Sequence, residues 1–290
     1  MLSLAPQTSV VIGNIKVSFL QDGYTLANPL AVFPNTTKAD WEKYSSALDA
    51  NGRLLVNGGS FLIESDGRRI LVDLAGGEAT FDIPDLAKSR TGQLLDSLAA
   101  VGLHPSDIDA VIYTHLHPDH VGWTSIDGEL TFSRARHYVA EAEWKHWFQA
   151  DPEIVDYNAP DRNVVLTPLQ DRIELLADGD TVSPGITVTA SVGHTPGHLS
   201  VVVRDPSAPD AARLVILGDI LHWPGQLTER EWFFAADHDP AASRKARDGA
   251  VSDFADTSVI LAVGHFRQVF GRIRTTSDGY TWVPLDDAVR

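Results

Sequence analysis

The segment VIYTHLHPDHVGW crowds three imidazoles and one carboxylate into six positions behind an apolar run. Alternate side chains of a strand point to the same side, so His115 and His117 would both project from the strand end. Pro118 ends the strand, because it restricts His117 to extended geometry and suits a first helical turn. Asp119 and His120 can then turn around the same point. The segment predicts a ligand cluster at a strand end and a fold that brings further ligands to it.

Three other apolar runs end in a glycine followed by a residue that can bind metal. His194 follows TVTASVG, Asp219 follows RLVILG and His265 follows SVILAVG. Ligands gather at strand ends in α/β sheets, and glycine lets the backbone approach closely. The chain contains no cysteine, so a metal site must use nitrogen and oxygen ligands. We therefore predict that these three residues meet the histidine cluster in one metal site.

Short β-branched runs that end in turn residues predict strands, among them IKVSFLQDG, DAVIYTHLH, RHYVAE and SVILAVGH. Asp66-Gly67 stands between two alternating runs and predicts a β-hairpin. The intervening stretches 90–101, 140–149 and 240–255 predict helices. Strands interspersed with helices indicate the α/β class.

No shift in composition and no Gly/Ser-rich linker divides the chain, so we expect a single domain over residues 1–290. Residues 25–58 stand apart, because they are neither cleanly periodic nor disordered in composition. An insertion that forms a lid or a dimer contact is one interpretation of them. A loop packed on the surface is the other, and the sequence does not choose between them.

Charge and hydropathy exclude several kinds of partner. The chain has 23 basic and 39 acidic residues, and a net charge of −16 would repel nucleic acid. No apolar run approaches the length of a membrane span, and the N-terminus MLSLAPQTSVVIGNIKV lacks the pattern of a signal peptide. We expect a cytoplasmic protein that binds neither nucleic acid nor membrane.

The order of these residues resembles the metallo-β-lactamase fold superfamily, whose hallmark is HxHxDH at a strand end followed by a distant His, Asp and His. The resemblance implies an αββα sandwich of two mixed β-sheets flanked by helices. It also implies two divalent metal ions, each with three ligands of its own and one shared bridging carboxylate. These ligands are, for the first ion, His115, His117 and His194; for the second, Asp119, His120 and His265; and, bridging both, Asp219.

The same resemblance implies the chemistry and the supporting residues. Two metals about 3.5 to 4 Å apart would share a hydroxide that attacks the substrate, with Asp119 and Asp219 as catalytic carboxylates. Zinc suits histidine-rich sites completed by oxygen, and manganese, iron and cobalt are compatible with these ligand types. His198 and Asp73 resemble family elements that hold the ligands in place, so we expect them to contact ligands rather than metal.

The sequence is most similar to the lactonase and methyl parathion hydrolase branch of the superfamily. Absence of cysteine and presence of Asp219 disfavour a β-lactamase, and GDILHWPGQLTEREW resembles methyl parathion hydrolases. Many lactonases of the branch have a substrate-binding Tyr where this chain has His222. We predict that His222 donates to a substrate oxygen or protonates a leaving group, the alternative being a solvent-facing residue beside Trp223. Trp123, three residues after His120, is a candidate for substrate contact, although core packing is commoner for tryptophan.

We therefore expect a dinuclear metal hydrolase of a small ester or lactone, working as a homodimer like many members of the family. A phosphotriester hydrolase on the same site is the close alternative. A mononuclear iron dioxygenase is more distant, because the second set of ligands, Asp119, His120 and His265, is complete. A non-catalytic binding protein is disfavoured, since no ligand position is lost.

Overall fold

A computed structural model describes residues 7–151, 156–208 and 213–285. Residues 1–6, on which part of the signal-peptide argument rests, lie outside this range. The strands are β1 Ser9–Ile12, β2 Ile15–Ala27, β3 Leu54–Ser65, β4 Arg68–Val72, β5 Thr80–Ile83, β6 Ala87–Arg90, β7 Ala110–Ile112, β8 Ser125–Ile126, β9 Glu129–Leu130, β10 Arg136–Ala140, β11 Ile173–Leu176, β12 Thr181–Ser183, β13 Ile186–Ala190, β14 Leu199–Val203, β15 Leu214–Ile216, β16 Ile260–Ala262, β17 Phe270–Thr276 and β18 Gly279–Pro284.

Most of the described helices are short, and several are single turns. They are α1 Pro29–Val32, α2 Lys38–Glu42, α3 Leu94–Ala100, α4 Pro118–Val121, α5 Glu141–Phe148, α6 Thr167–Leu169 and α7 Pro240–Phe254, with 3-10 turns at Ser45–Ala47, Pro105–Asp107, Gly218–Ile220 and Pro224–Leu227 and a π-helical turn at Arg162–Leu166. α5 and α7 match their predictions to within one residue at each end. α3 begins later than predicted, because Arg90 is still paired in β6 and Asp22 accepts the backbone N–H of Leu94. Among the described helices, none has the length and apolar character that a bilayer crossing requires.

The first sheet carries the histidine cluster. Its order is β11-β10-β7-β4-β3-β2-β6-β5, with β1 also paired to β2, and β4, β7, β10 and β11 run parallel. The carboxyl ends of β4 and β7 therefore meet at one edge, where Asp73 donates its backbone N–H to the carbonyl of Ile112 at 2.9 Å. The predicted hairpin between β3 and β4 is confirmed, with positive φ angles of 49° at Asp66 and 74° at Gly67. Both angles suit a two-residue turn whose twist matches the strands.

The second sheet has the order β12-β13-β14-β15-β16-β17-β18 within the described residues. β15 and β16 are its parallel pair, and the other neighbours are antiparallel. Because the pair is parallel, the loops that begin after Ile216 and Ala262 leave the sheet side by side. These loops carry Asp219 and His265.

The two sheets face each other across one core, with helices on both outer faces. Within β4, Ile70 and Val72 point into the core shared with the second sheet, whereas Leu71 points outward and packs with α3 and α5. Val251 of α7 covers the outer face of the second sheet. The alternation along single strands thus produces the predicted αββα sandwich, which is confirmed.

Residues 25–58 begin and end as strands, in β2 and β3, and their middle part packs on the loop after Asp219. An aromatic cluster forms there from both segments: Phe33, Trp41, Tyr44, Trp223, Trp232 and Phe234. Ring centroids of Trp41 and Trp223 are 4.9 Å apart, close enough to stabilise both segments beyond simple burial. The role of this segment as a lid or dimer contact stays a prediction.

Candidate metal centre

The side chains that the sequence predicted as ligands meet at one edge of the sandwich. The parallel pair β4–β7 of the first sheet and the parallel pair β15–β16 of the second both end there. His115 and His117 leave β7, Asp219 follows β15 and His265 follows β16. Ligand atoms within 4.8 Å of one another form four overlapping groups: His115, His117 and His194; His115, His120 and Asp219; Asp119, His120 and His265; and His194, Asp219 and His222. Each group could hold a metal ion.

The buried carboxylate of Asp219 lies at the centre of these groups. Five imidazole Nε2 atoms surround its oxygens at 3.0 to 3.9 Å, those of His265, His222, His120, His194 and His115. The glycine before it is needed, because Gly218 has a φ of 57° and a Cβ there would lie 2.5 Å from the Nε2 atom of His198. The predicted close approach of backbone to the centre is found at this position.

Four of the imidazoles are held at Nδ1, on the side away from Asp219. The partners are Thr114 Oγ1 for His115 at 3.0 Å, Asp73 Oδ2 for His120 at 2.9 Å, Asp237 Oδ1 for His194 at 2.9 Å and the Asn57 carbonyl for His265 at 2.8 Å. A hydrogen bond donated from Nδ1 fixes the tautomer that leaves the Nε2 lone pair free. That is the form of imidazole that binds a metal.

The inward-facing atoms lack the partners that buried polar atoms normally have. The Nε2 atoms of His115, His120 and His194 are fully buried and make no hydrogen bond to any residue that the structure describes. Burying such atoms without a partner is costly, and a cation among them would remove the cost. The residues present therefore fit a divalent metal centre built from nitrogen and oxygen.

Burial and charge divide the imidazoles into two kinds. Burial holds the pKa of His115 and His117 well below the usual value, so both are neutral. Burial also acts on His120 and His265, but the carboxylate of Asp219 outweighs it, raising the pKa of His120 well above its usual value and that of His265 to about 9. Despite its burial, the pKa of Asp219 is lowered well below its usual range by these two imidazoles. Asp219 is therefore ionised, and its negative charge can attract a cation to the centre of the cluster.

Asp119 differs from the other predicted ligands in its exposure. Its side chain is 58% exposed, and Oδ2 lies 3.7 Å from the Nε2 atom of His265 and 3.9 Å from that of His120. It faces the open cavity and closes the outer side of the group that it forms with His120 and His265.

Comparison with known proteins places this arrangement in a family. The profile of the metallo-beta-lactamase superfamily matches residues 55–265, which include all seven predicted ligands. This chain belongs to the metallo-beta-lactamase superfamily. The family predicted from the HxHxDH pattern is therefore confirmed.

The curated relatives of this chain include lactonases. The N-acyl homoserine lactonase AttM of Azorhizobium caulinodans is 29% identical over 136 residues, which cover 44% of this chain and 48% of that protein. AttM of Rhizobium radiobacter is 30% identical over 122 residues, 39% of this chain and 43% of that protein. The matches thus span about half the length of these relatives.

Two solved structures align along almost the whole chain. AidC, a dizinc quorum-quenching lactonase in complex with a product, superposes with a TM-score of 0.85 at 22% identity, covering 98% of both chains. The hydrolase AbOPH superposes with a TM-score of 0.81 at 26% identity, covering 98% of this chain and 99% of its own. The superfamily fold therefore extends over nearly all of this chain.

The two predicted supporting residues lie directly behind the ligands. Asp73 accepts both the backbone N–H and the hydroxyl of Thr114 at 2.7 and 2.8 Å, in addition to the Nδ1 hydrogen of His120. His198 donates from Nδ1 to Ser191 and accepts the backbone N–H of Asp219 at Nε2, 2.9 Å away. Both positions suit residues that hold ligands rather than bind metal.

Two supporting carboxylates of the superfamily site were not predicted. Asp237 accepts the Nδ1 hydrogen of His194 and lies 3.5 Å from buried Arg247. Glu143 accepts hydrogen bonds from the backbone of two ligand loops. Neither follows a strand, since Asp237 lies in a loop before α7 and Glu143 in the first turn of α5. The sequence offered one signal for Glu143: it is an acidic residue in the first turn of a predicted helix, where a carboxylate is favourable.

The structure contradicts the substrate contact predicted for Trp123, whereas the one predicted for His222 stays a prediction. Trp123 is only 6% exposed, packs in the core and donates its indole N–H to Asp22 at 2.9 Å, because the turn after His120 directs it inward. It is not among the residues that line the cavity. His222 is buried rather than solvent-facing, with Nε2 3.2 Å from Oδ2 of Asp219 and its ring stacked on Phe234 at 3.7 Å. Its position favours an action on Asp219 over a direct substrate contact.

A cavity of about 320 Å³ opens onto the ligands. Among the described residues, its walls are Tyr24, Thr25, Val56, Asn57, Gly58, Gly76, Ala79, Phe81, Ser89, Thr91, His117, Pro118, Asp119, Tyr157, Asn158, His194, Asp219, Phe234, Ala236 and His265. None of these wall residues is lysine or arginine. Aromatic and small side chains form most of the wall, with the ligands at its floor.

Proposed function

We propose that this chain is a dinuclear metal-dependent hydrolase of small, uncharged esters or lactones. The observation that carries the proposal is the arrangement around Asp219. Its two oxygens face imidazoles on both sides, at 3.3 Å from His120 through Oδ1 and 3.4 Å from His194 through Oδ2. A carboxylate placed in this way can serve two cations at once.

The ligands separate into two positions that share Asp219. Three neutral or Nδ1-anchored imidazoles would hold the first ion, and one exposed carboxylate with two imidazoles the second: His115, His117 and His194, then Asp119, His120 and His265. Zinc suits this set best, because it accepts histidine and carboxylate in small coordination numbers. Divalent ions at these positions would polarise a substrate oxygen and activate water as the nucleophile.

The walls of the cavity indicate an uncharged substrate. An ionised carboxylate or phosphate group normally requires lysine or arginine, and the described walls contain neither. A neutral ester or lactone needs no such side chain to balance its charge.

The apolar part of the substrate would lie against the aromatic walls. Phe81 of β5, Tyr24 of β2 and Phe234 of the loop before α7 all line the cavity. Such rings provide large contact areas with little loss of side-chain freedom. Lactonases among the relatives support this substrate class.

His222 has a positioning role in this proposal. Burial lowers the pKa of His222 to about 4, so it is neutral near pH 7 and does not act as a charged acid. Its Nε2 atom lies 3.2 Å from the same oxygen of Asp219 that His194 and His265 approach. The stacked ring of Phe234 fixes the imidazole in that orientation.

A phosphotriester is the second candidate substrate. It is the one class of phosphate ester that carries no ionised oxygen, and so it also suits a cavity wall without lysine or arginine. A single-iron dioxygenase is disfavoured because the second position keeps Asp119, His120 and His265 together.

Metal analysis followed by a substrate screen tests the proposal. We expect two divalent ions per chain and fastest turnover on lactones or aryl esters, with slower or no turnover of β-lactams. Asp219→Asn should abolish turnover, whereas His104→Gln should not, because exposed His104 belongs to none of the ligand groups. One iron per chain with oxygen uptake would overturn the proposal, and so would turnover confined to β-lactams.

A further inference from the structure

Glu143 is a completely buried carboxylate whose hydrogen bonds within the described chain go to no predicted ligand side chain. It lies in the first turn of α5, and its relative exposure is 0%. Oε1 accepts the backbone N–H of Leu116 at 3.0 Å and the indole N–H of Trp147 at 2.7 Å, and Oε2 accepts the backbone N–H of Gly197 at 3.0 Å. All three donors compensate for the burial of the carboxylate.

Two of these donors belong to the loops that carry the ligands of the first position. Leu116 stands between His115 and His117, and Gly197 lies three residues after His194. The loops come from different sheets, since one follows β7 and the other joins β13 to β14. One carboxylate therefore joins the two loops whose relative position determines the spacing of three imidazoles.

The His194 loop packs tightly against the backbone of Glu143. A Cβ atom on Gly197 would lie 2.1 Å from the backbone nitrogen of Glu143, so the loop rests directly on the helix. The ring of Trp147, held by the same carboxylate, lies with its centroid 5.9 Å from that of His117. Helix α5 thus serves as a template under the first position.

The second position has other supports. His120 is held by Asp73, and His265 is held by the carbonyl of Asn57. Within the described chain, Glu143 makes no hydrogen bond to the helical turn Pro118–Val121, which carries His120, or to the loop that carries His265. A defect at Glu143 should consequently affect the two positions unequally.

We propose that Glu143 is a positioning residue that sets the distance between the His115–His117 loop and the His194 loop, and thereby the affinity of the first metal position. This inference rests on the proposed dinuclear site. Ligand geometry must be held to about 0.5 Å for a site to keep its function, and loops alone rarely provide that precision. A buried bridge from a helix provides it.

Glu143→Gln is the sharpest substitution, because glutamine has the same shape and only one acceptor oxygen. Its amide nitrogen must face at least one of the N–H donors, so at least one of the three bonds is replaced by a donor facing a donor. Trp147→Phe is a graded comparison, because it removes the indole donor and part of the ring that packs near His117 but leaves both loop N–H donors on the carboxylate. Asp22→Asn is the control: Asp22 is also buried, and it accepts N–H groups outside both loops, those of Gly76, Gly92, Leu94 and Trp123.

The experiment measures zinc per chain across a chelator series for the wild type and the three variants. In Glu143→Gln we expect one ion to be lost at a chelator activity at least about 10-fold lower than in the wild type, with the other ion retained. Asp22→Asn should keep the wild-type affinity of the first ion, and Trp147→Phe should lower it by clearly less than Glu143→Gln does. Two ions lost in parallel, or an unchanged profile, would overturn the inference. A wild type that binds fewer than two ions would instead overturn the proposed function.

A measurement on the wild-type protein decides the matter if Glu143→Gln does not fold. Because the carboxylate binds the loops without help from metal, the amide hydrogens of Leu116 and Gly197 should exchange slowly in metal-free protein. Their exchange should be at least about 10-fold slower than that of the amide of Val192, an exposed residue at the start of the His194 loop. Rapid exchange of both amides in folded, metal-free protein would overturn the inference.

Discussion

Asp237 accepts a hydrogen bond from Nδ1 of His194 at 2.9 Å, and both side chains are buried. The carboxylate fixes the ring so that Nε2 faces the centre. Asp237→Asn should therefore weaken metal binding at the first position by about 10- to 100-fold. Metal titration of the purified variant measures the change.

The neighbouring Asp239 provides the control for that variant. It accepts the N–H groups of Ala241 and Ala242 and so caps α7 without touching His194. Asp239→Ala should cost about 0.5 to 2 kcal/mol of stability and leave metal affinity unchanged. Equal metal loss in both variants would show that α7, rather than the hydrogen bond to His194, controls the site.

Asp73→Asn should have the complementary effect on the second position. Asp73 has a φ of 62°, a conformation that asparagine tolerates, so the backbone should not be strained. The amide cannot accept from both Thr114 and His120 as the carboxylate does. We expect the second ion to be bound about 10- to 100-fold more weakly, as seen by the same titration. A selective loss of the first ion would contradict the assignment of ligands to the two positions.

His222→Phe should separate metal binding from turnover. Phenylalanine keeps the stack on Phe234 but loses the nitrogen that lies 3.2 Å from Asp219. We expect turnover to fall by about 10- to 100-fold while both metals are retained. Steady-state kinetics together with metal analysis check this, and undiminished turnover would remove His222 from the site.

The aromatic cluster should be a large source of stability for the loop after Asp219. Trp41 is 3% exposed and touches the rings of Trp223 and Trp232, with centroids 4.9 and 5.0 Å away. Trp41→Ala should lower the free energy of unfolding by about 3 to 5 kcal/mol. Trp144→Ala, at a half-buried tryptophan stacked on Phe148, should cost clearly less in the same denaturation experiment. Equal losses would contradict a central role for the cluster.

Removal of metal should destabilise the protein. The centre buries imidazoles whose Nε2 atoms have no other partner, so bound ions stabilise the folded chain only. At a free metal concentration of about 100 times Kd, each ion adds about 2.7 kcal/mol. Calorimetry should show a lower Tm in chelator and its recovery when zinc is restored. A Tm independent of metal would contradict the proposed centre.

The sequence predicted which side chains cluster at the centre, because they follow apolar strands and strand ends are visible in a single sequence. It did not reveal Asp237 or Glu143. Asp237 lies 43 positions from His194 and Glu143 lies 27 from Leu116, and no local pattern links these partners. Trp123 was misjudged for the opposite reason: it is near His120 in sequence, but a turn of chain decides which side faces the cavity. Local signals located the chemistry, whereas its supports depend on tertiary packing.

The two parallel strand pairs that end at the centre belong to different sheets. His115 follows β7 of one sheet and Asp219 follows β15 of the other, and the three ligands of each proposed ion position come together only after the sheets have docked. Contacts that form so late in folding slow unfolding more than they speed folding. We therefore expect bound ions to connect the two sheets and to lower the rate of unfolding far more than they raise the rate of folding.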